Sequence, residues 1–150
     1  MMVLLCFIVI FLMMTMRSQT SELFAIVFFP AFPNLEAFYF QSNRFSGQIP
    51  VSISNASNLA LFGISANMFT GRVPSLPGMS NLFRLEMDAN NLGNNEEGDL
   101  DFLSSLVNCT NLERLDISDN NFGGVLPESL SNLSAKLEVM RLGGNQIAFL

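Results

Sequence analysis

The chain has 150 residues, of which 49% are apolar and 13% charged, and it carries a net charge of −6 with no histidine. This composition excludes a disordered chain, which needs low hydrophobicity and high charge. Only seven residues are Lys or Arg, which argues against a nucleic-acid partner, because a phosphate backbone requires a basic surface. Without histidine, the common serine and cysteine triads and histidine-based metal sites are excluded.

The first 20 residues form an apolar leader that we expect to be helical. Its uncharged run, residues 1–16, would span about 24 Å as a helix, less than the roughly 30 Å of a membrane core. A cleaved secretion signal, an uncleaved anchor and an artefact of an incomplete gene all remain open. Residues 21–33 are predicted to be an irregular lead-in containing Pro30 and Pro33. Cys6 in the leader and Cys109 far downstream are expected to form neither a disulfide nor a zinc site.

From residue 34 to residue 150 the pattern L-x-x-L-x-L-x-x-N occurs five times, the last copy in an incomplete unit. The asparagines that end the copies are spaced 24, 23, 30 and 25 residues apart, and they are Asn43, Asn67, Asn90, Asn120 and Asn145. In each x-L-x-L-x segment, as in any short strand, successive side chains point to opposite faces, so the apolar side chains all point inward. Stacked coils would therefore form a solenoid with parallel strands on its concave face and an irregular or 3-10 convex side. The asparagines are predicted to be a structural ladder that satisfies backbone groups where the chain turns inward.

Three coils continue with a Phe, a Gly and an apolar-Pro pair, as in Asn43 to Pro50. The Phe residues at this phase are interpreted as internal packing, the Gly residues as permitting the bend toward the convex side, and the Pro residues as fixing φ and ending ladder pairing. This continuation resembles the plant extracellular subtype of leucine-rich repeat. The stretch from Asn90 to Leu112 resembles one subfamily of plant receptor-like Ser/Thr kinases in particular, the subfamily that includes the receptor for bacterial elongation factor Tu.

The resemblance implies an ectodomain on the extracellular side of the plasma membrane, reached through the secretory pathway, that recognises a protein or peptide ligand and a co-receptor. It also implies a membrane association, through the parent protein or the apolar leader. The chain departs from the family in lacking its cysteine-paired cap and any kinase motif, and its last coil stops within a repeat. We therefore interpret it as a fragment of such a receptor, in immune or developmental signalling. A secreted inhibitor with similar repeats and a truncated product without independent function are the alternatives.

The third coil is about six residues longer than its neighbours, and the excess lies near Gly93 to Asp101. It contains four acidic residues, Glu96, Glu97, Asp99 and Asp101, whose spacing does not match a calcium loop. We expect a solvated acidic loop, since insertions in repeats map to the surface. Three N-x-[ST] sequons at Asn55, Asn108 and Asn132 recur at one phase of the repeat and are candidate N-glycosylation sites.

The outward x positions of the strands form three columns across the concave face. The candidate ligand-binding residues on this face are Tyr39, Leu61, Arg84, Glu86, Asp88, Arg114, Asp116 and Arg141. Cross-strand ion pairing among Arg84, Glu86, Arg114 and Asp116 is the alternative interpretation, and the sequence favours it over ligand binding. No catalytic residue, metal site or cofactor is predicted, because nucleotide-binding and kinase motifs are absent from the chain.

Overall fold

The structure, a computed structural model, describes residues 34–148, so the predicted leader and lead-in lie outside the described residues. Five three-residue strands form one parallel sheet on the concave face, in the order β1-β3-β5-β7-β8. They are β1 Ala37–Tyr39, β3 Leu61–Gly63, β5 Arg84–Glu86, β7 Arg114–Asp116 and β8 Val139–Arg141. The central residue of each strand pairs with the central residue of the next. The predicted solenoid with a parallel concave sheet is confirmed.

Inward-facing apolar side chains form a continuous core between the coils. At the centre of the strands, Phe38, Phe62, Leu85 and Leu115 are all at most 3% exposed. The Phe residues that follow the turn, Phe45, Phe69 and Phe122, are equally buried. Each such side chain contributes roughly 1.5–3 kcal/mol, and one coil alone could not bury them.

A second parallel sheet lies beyond the inward turn, and sequence reasoning missed it. Its strands are β2 Ser46–Gln48, β4 Met68–Gly71 and β6 Asn91–Leu92. Gly47 and Gly71, predicted to bend the chain, instead lie within strands at φ 91° and 75°. Because equivalent segments of successive coils run side by side here, their backbone groups pair with each other, while glycine supplies the positive φ.

Across residues 34–148 the convex side contains three 3-10 helices, which fits the predicted irregular or 3-10 character. These are η1 Val51–Asn55, η2 Asp101–Asn108 and η3 Glu128–Asn132. Pro50 and Pro127 precede η1 and η3 with extended backbone, consistent with the fixed φ of proline. Among residues 34–148, no helix is long and apolar enough to cross a membrane.

Candidate ligand-binding face

The eight predicted concave-face residues all lie on or next to the five-stranded sheet, but they are not equally accessible. Tyr39, Arg84 and Arg141 are exposed, whereas Leu61, Asp88 and Arg114 are half-buried. Glu86 is 9% exposed and Asp116 is 3% exposed, so neither offers an open carboxylate to a ligand. The face therefore presents exposed side chains, and the carboxylates beneath them are already paired with neighbouring groups.

Glu86 is the centre of a network that joins three coils. Its Oε1 atom lies 3.0 Å from Nε of Arg114, in the next coil. Its Oε2 atom accepts a hydrogen bond of 3.2 Å from Nε2 of Gln41, two coils away. Gln41 is not among the predicted site residues, because only the register of the sheet brings it to Glu86.

The carboxylates of Asp116 and Asp88 are also paired with neighbouring side chains. Asp116 lies 3.4 Å from Nη1 of Arg141 and accepts a hydrogen bond of 2.6 Å from the hydroxyl of Ser118. Asp88 accepts a hydrogen bond from the hydroxyl of Ser65, in the preceding coil. The ion pairs of Glu86 with Arg114 and of Asp116 with Arg141 match the cross-strand interpretation of these charges, and each partly exposed pair contributes under about 1 kcal/mol.

Tyr39 lies across the neighbouring coil and is 50% exposed. A Cβ added at Gly63 would fall 2.6 Å from Cδ2 of the Tyr39 ring, so the ring rests on the backbone of β3 because Gly63 has no side chain. Partial burial raises the pKa of the Tyr39 hydroxyl above 10.0, and the negative charge of Glu86 adds to the effect. The residue is therefore a neutral aromatic surface next to the charged network.

The ladder asparagines connect each coil to the one before it. The side-chain Oδ1 atom of Asn67 accepts a hydrogen bond of 3.0 Å from the N–H of Phe45, and its Nδ2 group donates to the carbonyl of Phe40 at 2.8 Å. Asn90, Asn120 and Asn145 each make the two equivalent bonds to the coil directly before their own. Asn43, in the first described coil, donates to two carbonyls of its own coil, those of Phe40 and Gln41.

The expectation of a solvated acidic insertion is wrong for Asp99, which is 1% exposed. Its Oδ2 atom accepts hydrogen bonds from the backbone N–H groups of Asn94, Glu96 and Gly123 at 2.9, 3.1 and 3.1 Å. Burial by itself would raise the pKa of Asp99, but these backbone bonds and the charge of Arg72 hold it below 3.8. Sequence reasoning missed this role because its partners are backbone groups, which no side-chain pattern reveals.

Arg72, from the second coil, reaches the insertion from the outside. Its Nε atom lies 3.4 Å from Oδ1 of Asp99, and its Nη2 atom bonds Glu96 at 3.1 Å. Gly123, from the fourth coil, fits against the loop so closely that a Cβ there would lie 2.5 Å from the carbonyl carbon of Asn95. The insertion is thus held between the second and fourth coils. Within residues 34–148, no group of three His, Cys, Asp or Glu could hold a metal ion.

The three sequon asparagines occupy equivalent positions at the ends of the convex-side 3-10 helices. Asn55, Asn108 and Asn132 are each the last residue of a 3-10 helix, and all three are exposed. The middle residue of the second sequon, Cys109, is 1% exposed and has a free thiol that donates to the carbonyl of Met79. Burial raises the pKa of that thiol to about 11.

Stacked coils with an asparagine ladder and a short-stranded concave sheet define a leucine-rich-repeat solenoid. The Leucine Rich Repeat family matches residues 34–56 and 111–133. The chain has the leucine-rich-repeat fold, and its repeats are similar to those of plant receptor-like kinases, so the resemblance predicted from the sequence is confirmed.

Two Arabidopsis thaliana relatives illustrate the similarity. A probable LRR receptor-like serine/threonine-protein kinase is 46% identical over 67 residues, which are 45% of this chain and 7% of the relative. The LRR receptor-like serine/threonine-protein kinase EFR is 42% identical over 70 residues, which are 47% of this chain and 7% of EFR. The chain thus matches about 7% of the length of these relatives.

A solved structure of an Arabidopsis receptor extends the similarity to the fold. The receptor kinase HAESA, in complex with the peptide hormone IDA and the co-receptor SERK1, superposes with a TM-score of 0.67 at 30% sequence identity. The match covers 77% of this chain and 18% of the HAESA chain.

Proposed function

We propose that this chain is part of the extracellular ectodomain of a plant receptor-like kinase and that its concave face binds a protein or peptide ligand. The observation that supports this most is the face itself, where an exposed aromatic ring, a half-buried Leu61 and exposed arginines stand on a rigid parallel sheet. HAESA, which has the same fold, is complexed with a peptide hormone and a co-receptor. Since fold alone does not fix function, the site has to be tested directly.

The size of the face limits what it can recognise. Five strands about 4.8 Å apart span about 20 Å, the length of about six extended residues. A standard interface needs about 800 Å² from each partner. The described residues therefore form part of a recognition surface, which further coils or a co-receptor would complete.

The experiment is to bind the full chain, expressed by secretion, to a positional-scanning library of acetylated hexapeptides. Tyr39→Ala and Leu61→Asn should each weaken binding of the selected peptides several-fold, because they remove the exposed apolar contacts. Val51→Ala is the matched control, since Val51 is 77% exposed on the convex side. Equal loss with all three variants, or no selection of any peptide by the unmodified chain, would overturn the proposal.

The proposal includes entry into the secretory pathway, with residues 1–20 as signal or anchor and N-glycans at Asn55, Asn108 and Asn132. The exposure of the three asparagines at the ends of the 3-10 helices supports this, because it leaves room for a glycan on one flank. Glycans there would leave the concave face open. Expression in plant cells should give a chain whose gel mobility increases after glycosidase treatment, in three steps that Asn→Gln variants remove one by one. Unchanged mobility of a cell-retained chain would count against both the signal and the glycans.

A further inference from the structure

An open hollow with polar walls lies directly after β6, where the insertion of the third coil begins. Its volume is about 350 Å³. One glycine and four residues with side-chain amides line it, and they are Gly93, Asn94, Asn95, Asn121 and Gln146. None of these residues belongs to the concave sheet, so the hollow is separate from the face proposed above to bind a protein or peptide.

The four side-chain amides of the hollow keep their hydrogen-bonding groups free. All four are exposed, and within residues 34–148 none of them bonds to another group. Exposed amides elsewhere in the chain do find partners, since Asn81 donates to the carbonyl of Ser57 and Asn111 accepts from the ammonium group of Lys136. Each amide offers two N–H donors and a carbonyl acceptor. The hollow therefore offers several donors and acceptors together on one small surface.

Backbone hydrogen bonds hold the walls of the hollow in place. The N–H of Asn95 donates to the carbonyl of Asn121 at 2.8 Å, and the N–H of Asn121 donates to the carbonyl of Leu92 at 2.7 Å. The buried carboxylate of Asp99 accepts hydrogen bonds from the N–H groups directly before and after Asn95. A ligand would meet amides on a backbone that is already ordered, which lowers the entropy cost of binding.

The charges around the insertion disfavour an anionic ligand. Arg72, the arginine that binds the insertion, is already paired with Glu96 and Asp99. The exposed carboxylate of Glu97, two residues after Asn95, adds a negative charge. An apolar ligand is disfavoured as well, because no apolar side chain lines the hollow. The surface thus suits a neutral ligand that is rich in hydrogen-bonding groups.

We infer that the hollow binds a neutral oligosaccharide. A hydroxyl group donates one hydrogen bond and accepts two, so neighbouring sugar hydroxyls match amides that donate and accept at once. Asn121 and Gln146 directly follow the ladder asparagines of consecutive coils, so they recur at the spacing of the coils, about 4.8 Å. A linear sugar chain lying along the stack would meet both amides in turn, with Asn94 and Asn95 beside it.

The sugar could come from a structural polysaccharide or from the glycan of another protein, so the probes represent both. The full chain, labelled with ¹⁵N, is titrated with cellotetraose, xylotetraose and mannotetraose, and with a released high-mannose N-glycan. Glycerol at the same hydroxyl concentration and tetragalacturonic acid are the comparison compounds. The side-chain NH₂ signals of Asn94, Asn95, Asn121 and Gln146 are followed.

Asn121→Ala and Gln146→Ala are the test variants, and both should fold normally, because the side chains they remove are exposed and have no partner among residues 34–148. Gln48→Ala is the matched control, since Gln48 is an exposed amide of the second sheet in the first coil and does not line the hollow.

We expect at least one neutral sugar to shift the four NH₂ signals at millimolar concentration, whereas glycerol should not. Each test variant should weaken that sugar's binding about three- to ten-fold, and Gln48→Ala should leave it unchanged. The probe that binds best identifies the source of the sugar. The inference is wrong if no neutral sugar shifts these signals at tens of millimolar, if glycerol shifts them equally, or if tetragalacturonic acid binds more tightly. It is also wrong if all three variants have the same effect. None of these outcomes bears on the concave face, whose test uses other residues.

Discussion

Replacing Asp99 tests how the insertion in the third coil is held. Asp99→Ala would leave three backbone N–H groups without their acceptor, those of Asn94, Glu96 and Gly123. The bond from Gly123 is buried and the other two are part-buried, and at about 1 kcal/mol for each donor we expect a loss of about 3 kcal/mol. Asp99→Asn keeps an oxygen acceptor but loses the charge, and it should cost about 1–2 kcal/mol. Arg72→Gln should cost under about 1 kcal/mol, because the Arg72 side chain is 49% exposed.

Hydrogen exchange monitored by NMR reads this local effect directly. In Asp99→Ala the amide of Gly123 should exchange about 100-fold faster, the equivalent of about 3 kcal/mol. The amide of Phe69 is the internal control, because it donates to the ladder residue Asn90 and not to Asp99. If the Gly123 amide exchanged at its original rate, or if Arg72→Gln had the larger effect, the bonds to Asp99 would not be what holds the loop.

The contribution of Asp99 to stability should also depend on pH. Because the folded-state pKa of Asp99 lies below its ordinary value, its contribution to stability is complete above the unfolded pKa of about 3.9 and is lost as the pH falls through the folded value. The stability difference between the unmodified chain and Asp99→Asn should therefore be constant near neutral pH and shrink below about pH 4. A difference that persisted unchanged into strong acid would contradict this.

Three further predictions follow from the coils themselves. Asn90→Ala should lower the free energy of unfolding in urea by about 1–3 kcal/mol, because it removes the acceptor of the Phe69 N–H in the preceding coil and one of the two donors to the carbonyl of Ile64, whereas Asn43→Ala should cost less; equal losses would contradict the bridging role. Gly123→Ala should displace the insertion and lower the melting temperature by several degrees, whereas Gly143→Ala, which has no atom within 4 Å of the added Cβ, should not. Cys109 should remain unalkylated in the folded chain at neutral pH, as read by mass mapping of its peptide, and rapid labelling would show that the coil opens.

The repeat fixes most of the fold because each copy specifies the same four positions, and the inward alternation of a three-residue strand leaves little freedom of register. The repeat pattern alone therefore aligns Phe38, Phe62 and Leu85, which are register partners in the sheet. The second sheet could not be predicted in this way. Its strands, such as Ser46–Gln48, pair only through backbone groups, and the glycine within them suggested a bend.

The candidate site was predictable as a surface but not as a network. Alternation placed Arg84, Glu86 and Arg114 on the concave face, yet it could not show that Glu86 is buried and bonded to Gln41, 45 residues away. For Asp99 the sequence predicted exposure, whereas the side chain is buried. An acidic loop is normally solvated, and the backbone of the loop itself together with that of the neighbouring coil makes one of its carboxylates internal.

The asparagine ladder has a consequence for how such a chain can change over generations. Each bridging asparagine, such as Asn67, bonds groups of its own coil and of the coil directly before it, so the same set of bonds is made at each junction between coils. A coil bounded by two such asparagines could be duplicated, deleted or exchanged while the junctions on either side re-form with the same bonds. Receptors of different length and ligand preference could then arise by moving whole coils, with the outward strand residues free to vary.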